Sequence, residues 1–130
     1  MALQAYALEE MKRFYTQVLG YVVEWEPDRN NVYLTSGTDN LALHRATAMS
    51  ADRPRSTAPL DHLGLIVERA ADVDAWAEYL GAQGVSLDKP PKTHRDGARS
   101  VYFSDPDGNQ VQIIYHRPIS DASPDASRGL

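Results

Sequence analysis

Residues 98–116, ARSVYFSDPDGNQVQIIYH, decide the fold of this chain. Two runs of β-branched and aromatic residues flank a turn-forming stretch at 105–109. This pattern is typical of a β-hairpin, because aspartate, proline and glycine supply the backbone angles that a tight connection needs. We therefore predict antiparallel strands over 98–104 and 110–116. The side chains of Asp105 and Asp107 are expected to bond backbone amides of the turn.

This hairpin closes the second copy of an internal repeat. An offset of 62 residues aligns Met1 with Leu63 and Phe14 with Trp76. In each copy a short apolar strand precedes apolar residues at helical spacing, which predicts helices over 8–19 and 72–83. Three strand-like runs follow each helix, at 21–26, 31–36 and 40–46 in the first copy and at about 85–88, 98–104 and 110–116 in the second. The sequence therefore predicts an α+β fold of two βαβββ modules.

Length and composition favour one domain over 1–118. The chain has 130 residues, 42% of them hydrophobic, which is enough for an ordinary core. We predict module one at 1–46 and module two at 60–118, and both helices are expected to end at a glycine, Gly20 and Gly84. The stretch 47–59 is polar and contains proline, so it is interpreted as a linker, and 119–130 as a flexible tail.

Charge and cysteine content exclude several classes of partner. A net charge of −5 and a pI near 5.2 disfavour binding to nucleic acid or to an anionic membrane. Without cysteine the chain has no disulfides and no thiolate metal ligands. No apolar run approaches the length of a membrane span, and no secretory signal is visible, so we expect a cytoplasmic protein.

Three motifs follow one another along the chain: FYTQVLGY at 14–21, LDHLGLIV at 60–67 and DPDGN at 105–109. In this order they resemble those of the vicinal oxygen chelate superfamily, which includes glyoxalases, bleomycin-resistance proteins, fosfomycin-modifying enzymes and extradiol dioxygenases. The resemblance extends from about Ala2 to His116. It implies a cupped, incomplete barrel of strands whose interior holds a divalent ion and the substrate. Members share architecture far more than chemistry, so the resemblance implies fold more strongly than function.

By this resemblance, the ligands of the ion come from the first and last strand of each half. One position falls on His62, and its repeat partner would lie one residue before Met1. The last-strand positions fall on Ala42 and on Gln112, where the family usually carries a glutamate. Alanine cannot coordinate a metal, and an amide is a poorer ligand than a carboxylate. Since a firm site needs at least three protein ligands, we expect a degraded metal site that retains His62 alone.

Two histidines leave an alternative open. His44 and His116 lie further along the strands that carry Ala42 and Gln112, so a displaced metal site of His44, His62 and His116 is conceivable. The competing interpretation places both near strand ends as partly exposed residues.

Several aromatic and polar residues are candidates for a ligand pocket. Tyr102 precedes Gln112 by ten residues, the spacing at which the similar dioxygenases place a substrate-contacting tyrosine, while Tyr33 and Trp25 could add apolar walls. His94 lies in the run THRDGAR at 93–99, which is interpreted either as a solvated loop or as a surface that attracts an anionic substrate.

We therefore predict a small-molecule-binding protein with a degraded metal site, whose candidate ligand-binding residues are His62, Gln112, Tyr102, His44, Tyr33 and His94. The first alternative is a divalent-metal lyase or dioxygenase centred on His62. The second is a dimerisation module without a ligand. No cofactor is expected; zinc, nickel, iron or manganese would bind only if other ligands completed the site. A homodimer is expected because half-open sheets leave edges that a twofold partner can cover.

Overall fold

The computed structural model describes residues 1–47 and 60–121, which form two compact units. The first unit contains residues 1–47 and 105–108, and the second contains 60–104 and 109–121. Each unit has one four-stranded mixed sheet and one main helix, which confirms the predicted α+β class. Most of the predicted linker and tail, at 48–59 and 122–130, lies outside the described residues.

The first unit follows the predicted βαβββ order. Its elements are strand β1 (Ala2–Ala5), helix α1 (Leu8–Arg13) continued by a π-helical turn (Phe14–Val18), and strands β2 (Val22–Asp28), β3 (Asn31–Thr35) and β4 (Leu41–Arg45). The spatial order is β1-β4-β3-β2, in which β1 runs parallel to β4 and the other pairs are antiparallel.

The second unit repeats this topology. Its elements are strand β5 (His62–Val67), helix α2 (Ala70–Ala82), strands β6 (Leu87–Thr93), β7 (Arg99–Ser104) and β8 (Gln110–Tyr115), and a short helix α3 (Arg117–Ser120). The order is β5-β8-β7-β6, again with only the first pair parallel. Both main helices end where predicted, at Gly20 and Gly84, whose φ angles of 86° and 80° lie in the left-handed region that glycine adopts without strain.

Alternation along the strands separates two faces of each sheet. One row is apolar and buried, and α2 packs against it in the second unit; its members include Leu63, Val101, Phe103, Val111 and Ile113. The corresponding buried row of the first unit includes Leu3, Val32, Leu34, Leu41 and Leu43. We call the other face of each sheet its front face. It carries Tyr33, Ala42 and His44 in the first sheet and His62, Tyr102 and Gln112 in the second.

Strand β6 is longer than the sequence pattern predicted. The expected run was about 85–88, whereas the strand covers Leu87–Thr93 and contains Pro90 and Pro91. Proline cannot donate a hydrogen bond to a neighbouring strand, but β6 is an edge strand, and its register shifts between Lys89 and Lys92. The two prolines therefore mark an irregular edge strand rather than its end.

Helix α3 extends to Ser120, two residues into the stretch predicted as tail. Ser120 is buried, and its hydroxyl donates a hydrogen bond of 2.6 Å to the carbonyl oxygen of Val67. The hydroxyl oxygen of Ser120 in turn accepts a bond of 3.0 Å from the backbone N–H of His116. These bonds fasten α3 to the end of β5, so the packed structure of the second unit continues beyond the predicted boundary.

The turn between β7 and β8 belongs to the first unit. Asp105 accepts a bond of 3.0 Å from the backbone N–H of Asp107, as predicted, and another of 2.8 Å from the hydroxyl of the fully buried Tyr15. Asp107 differs from the prediction, because its carboxylate accepts the backbone N–H groups of Tyr6 and Ala7 at 2.6 and 2.9 Å. These two amides precede α1, so the carboxylate lies at the helix end where negative charge is favoured.

Candidate functional site

Three predicted site residues meet on the front face of the second sheet. The amide nitrogen Nε2 of Gln112 donates a hydrogen bond of 2.8 Å to the hydroxyl of Tyr102, directly across the β7–β8 pair. The ring of His62 lies edge-on to the ring of Tyr102, with centroids 5.7 Å apart. Gln112 is buried, with 8% of its surface exposed, whereas His62 and Tyr102 are half-buried. The strand register therefore brings side chains from β5, β7 and β8 together in one polar cluster.

Gly64 leaves the space that the Gln112 amide occupies. It pairs with Gln112 across β5 and β8, and a Cβ atom at position 64 would lie 3.2 Å from the side-chain oxygen Oε1 of Gln112. Any larger residue would force the amide to move. The sequence showed this glycine within a strand, but only the register shows what it accommodates.

Asp61 orients the imidazole of His62. The Nδ1 atom of His62 lies 2.7 Å from a carboxylate oxygen of Asp61. A carboxylate can only accept a hydrogen bond, so Nδ1 carries the hydrogen and Nε2 is the ring nitrogen with a lone pair available in the neutral form. Asp61 itself is exposed.

Lys89 is a member of this cluster that sequence reasoning missed. Its ammonium group lies 4.9 Å from the centroid of the Tyr102 ring, within the range of a cation–π interaction. The predicted strand ended at 88, before this residue, and so gave no reason to place Lys89 opposite Tyr102. The long edge strand thus adds a positive charge to the front face of the second sheet.

The first sheet has an aromatic cluster on its front face. The rings of Trp25 and Tyr33 are stacked with centroids 5.2 Å apart, and the ring of His44 meets Tyr33 edge-on at 5.8 Å. The Nδ1 atom of His44 is 2.6 Å from the side-chain oxygen of Asn31. Trp25 is 58% exposed, although a large aromatic side chain usually gains by burial. Tyr33 and His44, both predicted site residues, are therefore neighbours in this sheet.

His94 occupies a different part of the second unit. It lies in the turn between β6 and β7, where its Nε2 atom is 2.9 Å from the hydroxyl of Ser100. A surface cavity of about 640 Å³ on this side includes His94 and the neighbouring residues Lys92 and Arg95. Arg99 is already paired with Asp74 at 2.6 Å, and that hydrogen bond holds the pKa of Asp74 below its usual value.

The residues at the family's metal-ligand positions do not fit a divalent ion. Ala42 has no donor atom, and the nitrogen of Gln112 points its hydrogen at Tyr102. Within residues 1–47 and 60–121, no group of three histidine, aspartate or glutamate side chains is arranged to hold a metal. In the second unit, His62 pairs with Gln110, which lies about 20 Å along the strand from His116, so these two histidines do not lie together.

A separate apolar cavity lies on helix α2. Its volume is about 340 Å³, and it is lined by Ala75, Trp76 and Tyr79. Trp76 and Tyr79 meet edge-on at 5.3 Å, one helical turn apart. Its described lining is mostly apolar, which distinguishes it from the polar cluster on the front face of the second sheet. Over the described ranges, no helix is long and apolar enough to cross a membrane.

Comparison with known proteins agrees with this architecture. The sequence profile of the Glyoxalase/Bleomycin resistance protein/Dioxygenase superfamily matches residues 1–113, and the chain belongs to this superfamily. The match covers both βαβββ modules through most of β8 and includes His62, Tyr102 and Gln112. No curated protein matches the chain significantly.

Solved structures of the same fold include an enzyme and a binding protein. A lactoylglutathione lyase from Agrobacterium tumefaciens is 24% identical, with a TM-score of 0.74 over 91% of this chain and 92% of the lyase. TnmS3, an antibiotic binding protein from Streptomyces sp. CB03234, is 26% identical, with a TM-score of 0.69 over 87% of this chain and 89% of TnmS3. A superfamily member from Nocardioides is 22% identical, with a TM-score of 0.70 over 88% and 80%. The fold is thus shared by proteins that differ in activity.

Proposed function

We propose that this protein binds a small planar molecule without a metal ion. The observation that carries the proposal is the exposed stack of Trp25 on Tyr33. Trp25 offers an apolar ring to a flat ligand, and His44 and Asn31 supply polar atoms beside it. A few polar groups around an aromatic surface are what a small-molecule site requires. Antibiotic binding by TnmS3, a protein of the same fold, supports a natural product as the class of ligand.

The chemistry of the second sheet supports the metal-free part of the proposal. A metal-dependent lyase or dioxygenase centred on His62 would need two further protein ligands. Gln112 offers an amide already committed to Tyr102, and Ala42 offers nothing. We therefore favour a degraded metal site and a binding role, with Tyr102, Gln112 and His62 as polar contacts for a ligand.

The two tryptophans of the chain provide a matched test. Trp76→Phe leaves Trp25 as the only tryptophan, and Trp25→Phe leaves Trp76, on the α2 cavity, as the control. Naphthalene-2-methanol, a neutral planar probe, should change the fluorescence of the Trp76→Phe protein saturably and leave that of the Trp25→Phe protein almost unchanged. Addition of EDTA should not alter the affinity.

Three results would contradict the proposal. An equal response from both variants would mean that the probe does not select the Trp25 stack, and loss of binding in EDTA would favour a metal-dependent site. No response from either variant would favour a module without a ligand.

We also propose that the protein forms a homodimer. Strand β2 is an edge strand, and Val22 is among its exposed apolar residues. Unpaired edges of this kind are commonly covered by a second chain. Light scattering coupled to size-exclusion chromatography should give twice the chain mass of 14.4 kDa, and a monomer at all concentrations would contradict this.

A further inference from the structure

Lys89 differs from several other cations in the described part of the chain in having no acidic partner there. Its one recorded contact is with the face of the Tyr102 ring. By contrast, ion pairs engage five of the other basic residues, namely Lys12, Arg45, Arg69, Arg99 and Arg117. An ammonium group carries three hydrogen-bond donors and no acceptor. Those of Lys89 are therefore available to a ligand.

Tyr102 has a donor of its own to offer. Its oxygen accepts the hydrogen bond from Nε2 of Gln112, so the hydroxyl hydrogen must point elsewhere. In the described ranges this hydrogen has no recorded acceptor. Because Gln112 is buried and confined by Gly64, its amide also holds the hydroxyl oxygen in place. The result is a fixed donor beside a positive charge.

Two carboxylates of the second unit are engaged by neutral or weakly basic partners. Asp61 accepts the hydrogen of His62 at 2.7 Å, and Asp88 accepts the hydroxyl of Ser104 at 2.7 Å. Neither forms an ion pair with Lys89. Lys92 lies opposite Ser100 in the register, two residues along β7 from Tyr102.

We propose that the front face of the second sheet is a binding site for an oxyanion group of a small molecule, held by Lys89 and the hydroxyl of Tyr102. Carboxylate and phosphate share this chemistry, since each offers several acceptor lone pairs to an ammonium and a hydroxyl, and a charged acceptor makes the stronger hydrogen bond. The proposal rests on the proposed function for the size of the ligand and shares Tyr102 with it, whereas Lys89 enters only here and the Trp25 stack is not used. It adds a charge preference that the net charge of −5 does not suggest.

The side-chain amide of Gln112 is a built-in reporter, because it contacts the proposed donor directly. Benzoate and phenyl phosphate supply the two oxyanions, and benzamide is the neutral control of the same shape. In ¹H–¹⁵N spectra, at least one of the two anions should shift the Gln112 amide signal saturably, and benzamide should bind at least ~10-fold more weakly, the factor that corresponds to one lost charge-assisted hydrogen bond. The anion that binds more tightly shows whether the site prefers a carboxylate or a phosphate.

Variants test the two donors separately. Lys89→Met and Tyr102→Phe should each lower the affinity for the better anion by ~10-fold, and Lys89→Arg should recover most of it. Lys12→Met is the matched control, because Lys12 is paired with Glu26 in the first unit, and it should have no effect. Thermal melts report whether each variant folds. If Lys89→Met does not fold, Lys89→Arg still tests the positive charge at this position.

Any of three results would overturn the inference. They are equal binding of benzoate, phenyl phosphate and benzamide, unchanged anion affinity in Lys89→Met, or no shift of the Gln112 amide signal with either anion up to its solubility. These results are distinguishable from failure of the proposed function, because naphthalene-2-methanol reports on Trp25 and carries no charge. If Trp25 responds and the anions have no effect, the proposed function is supported and the anion site is not. If the anions bind and Trp25 does not respond, the anion site is supported and the proposed function is not.

Discussion

The two sheets share a strand order and a register but differ in what their front faces present. Tyr33 and Tyr102 occupy equivalent positions, each opposite the last strand of its module. Tyr33 faces Ala42 and is stacked on Trp25, whereas Tyr102 faces Gln112 and lies under Lys89. The buried rows behind them are apolar in both sheets. Core packing therefore maintains the common topology, and the front face is free to become aromatic in one module and polar in the other.

The turns that join the last two strands also differ between the modules. In the first module, Asp39 accepts hydrogen bonds from its own turn, including 2.6 Å from the backbone N–H of Ser36. In the second, Asp105 and Asp107 bond to Tyr15 and to the amides before α1, about 100 residues away in sequence. The second turn thus stabilises the helix of the first unit, whereas Asp39 bonds mainly within its own turn and accepts one longer bond of 3.5 Å from the hydroxyl of Tyr21.

The largest expected effect follows from that difference. Asp107→Ala removes a buried carboxylate that accepts two backbone N–H groups, and should lower the free energy of unfolding by about 3 kcal/mol. Asp39→Ala removes exposed hydrogen bonds of a local turn and should cost about 1 kcal/mol. Urea denaturation of both variants measures the difference, and equal losses would show that the second turn is no more important than the first.

A matched pair of glutamates tests the front faces. Gln112→Glu places a carboxyl group in a buried position, so its ionised form is disfavoured and the variant should be less stable near pH 7 by about 1–2 kcal/mol. Divalent ions should recover part of that loss, because an ion that binds only the folded state stabilises it. The gain should stay modest, since His62 is the only other ligand that the family positions supply.

Ala42→Glu is the control in the first sheet, at the position that matches Gln112. It adds the same charge opposite Tyr33, and its partner on β1 is Ala2, which has no donor atom in its side chain, so metal should not affect its melting temperature. Thermal melts with and without zinc or manganese measure both variants. If metal leaves Gln112→Glu unchanged as well, His62 and position 112 do not converge on one ion.

Sequence patterns predicted the elements well where the physics is local. The alternation in β7 and β8, the helical spacing and the terminating glycines Gly20 and Gly84 each depend on neighbouring residues, and all were found near the expected positions. Strand β6 was underestimated because its two prolines are compatible with a strand only at a sheet edge, and edge position is a property of the whole sheet.

The candidate site was less accessible to prediction. Strand register decides that Gln112 meets Tyr102 and that Lys89 covers the same ring, and register depends on contacts between distant segments. The bonds of Asp107 to the amides of Tyr6 and Ala7 are a further case, because nothing near Asp107 in sequence points to them. The residue types were enough to predict the candidate site residues, whereas the contact partners of those residues could be identified only from the fold.

The smallest expected effect concerns the buried tyrosines of the first unit. Burial raises the pKa of Tyr15 above its ordinary value of 10.0, and burial together with Asp39 raises that of Tyr21 to about 12. A phenol with a raised pKa in the folded state stabilises that state fully below pH 10 and loses this contribution as the pH rises from 10 through about 12. Between pH 8 and pH 11, the wild type should therefore lose about 1 kcal/mol of its free energy of unfolding that Tyr21→Phe does not lose. Urea denaturation at pH 8 and 11 measures it, and identical pH dependence in wild type and variant would contradict the assignment.

The metal content of the purified protein tests the central claim most directly, because the whole account rests on a family fold whose ligand positions no longer suit an ion. Gln112 donates to Tyr102, Ala42 has no donor, and His62 is the remaining ligand among these positions. Elemental analysis of protein purified without chelator should give well under one divalent ion per chain. One zinc, nickel, iron or manganese ion per chain would contradict the account and would favour a metal-dependent enzyme.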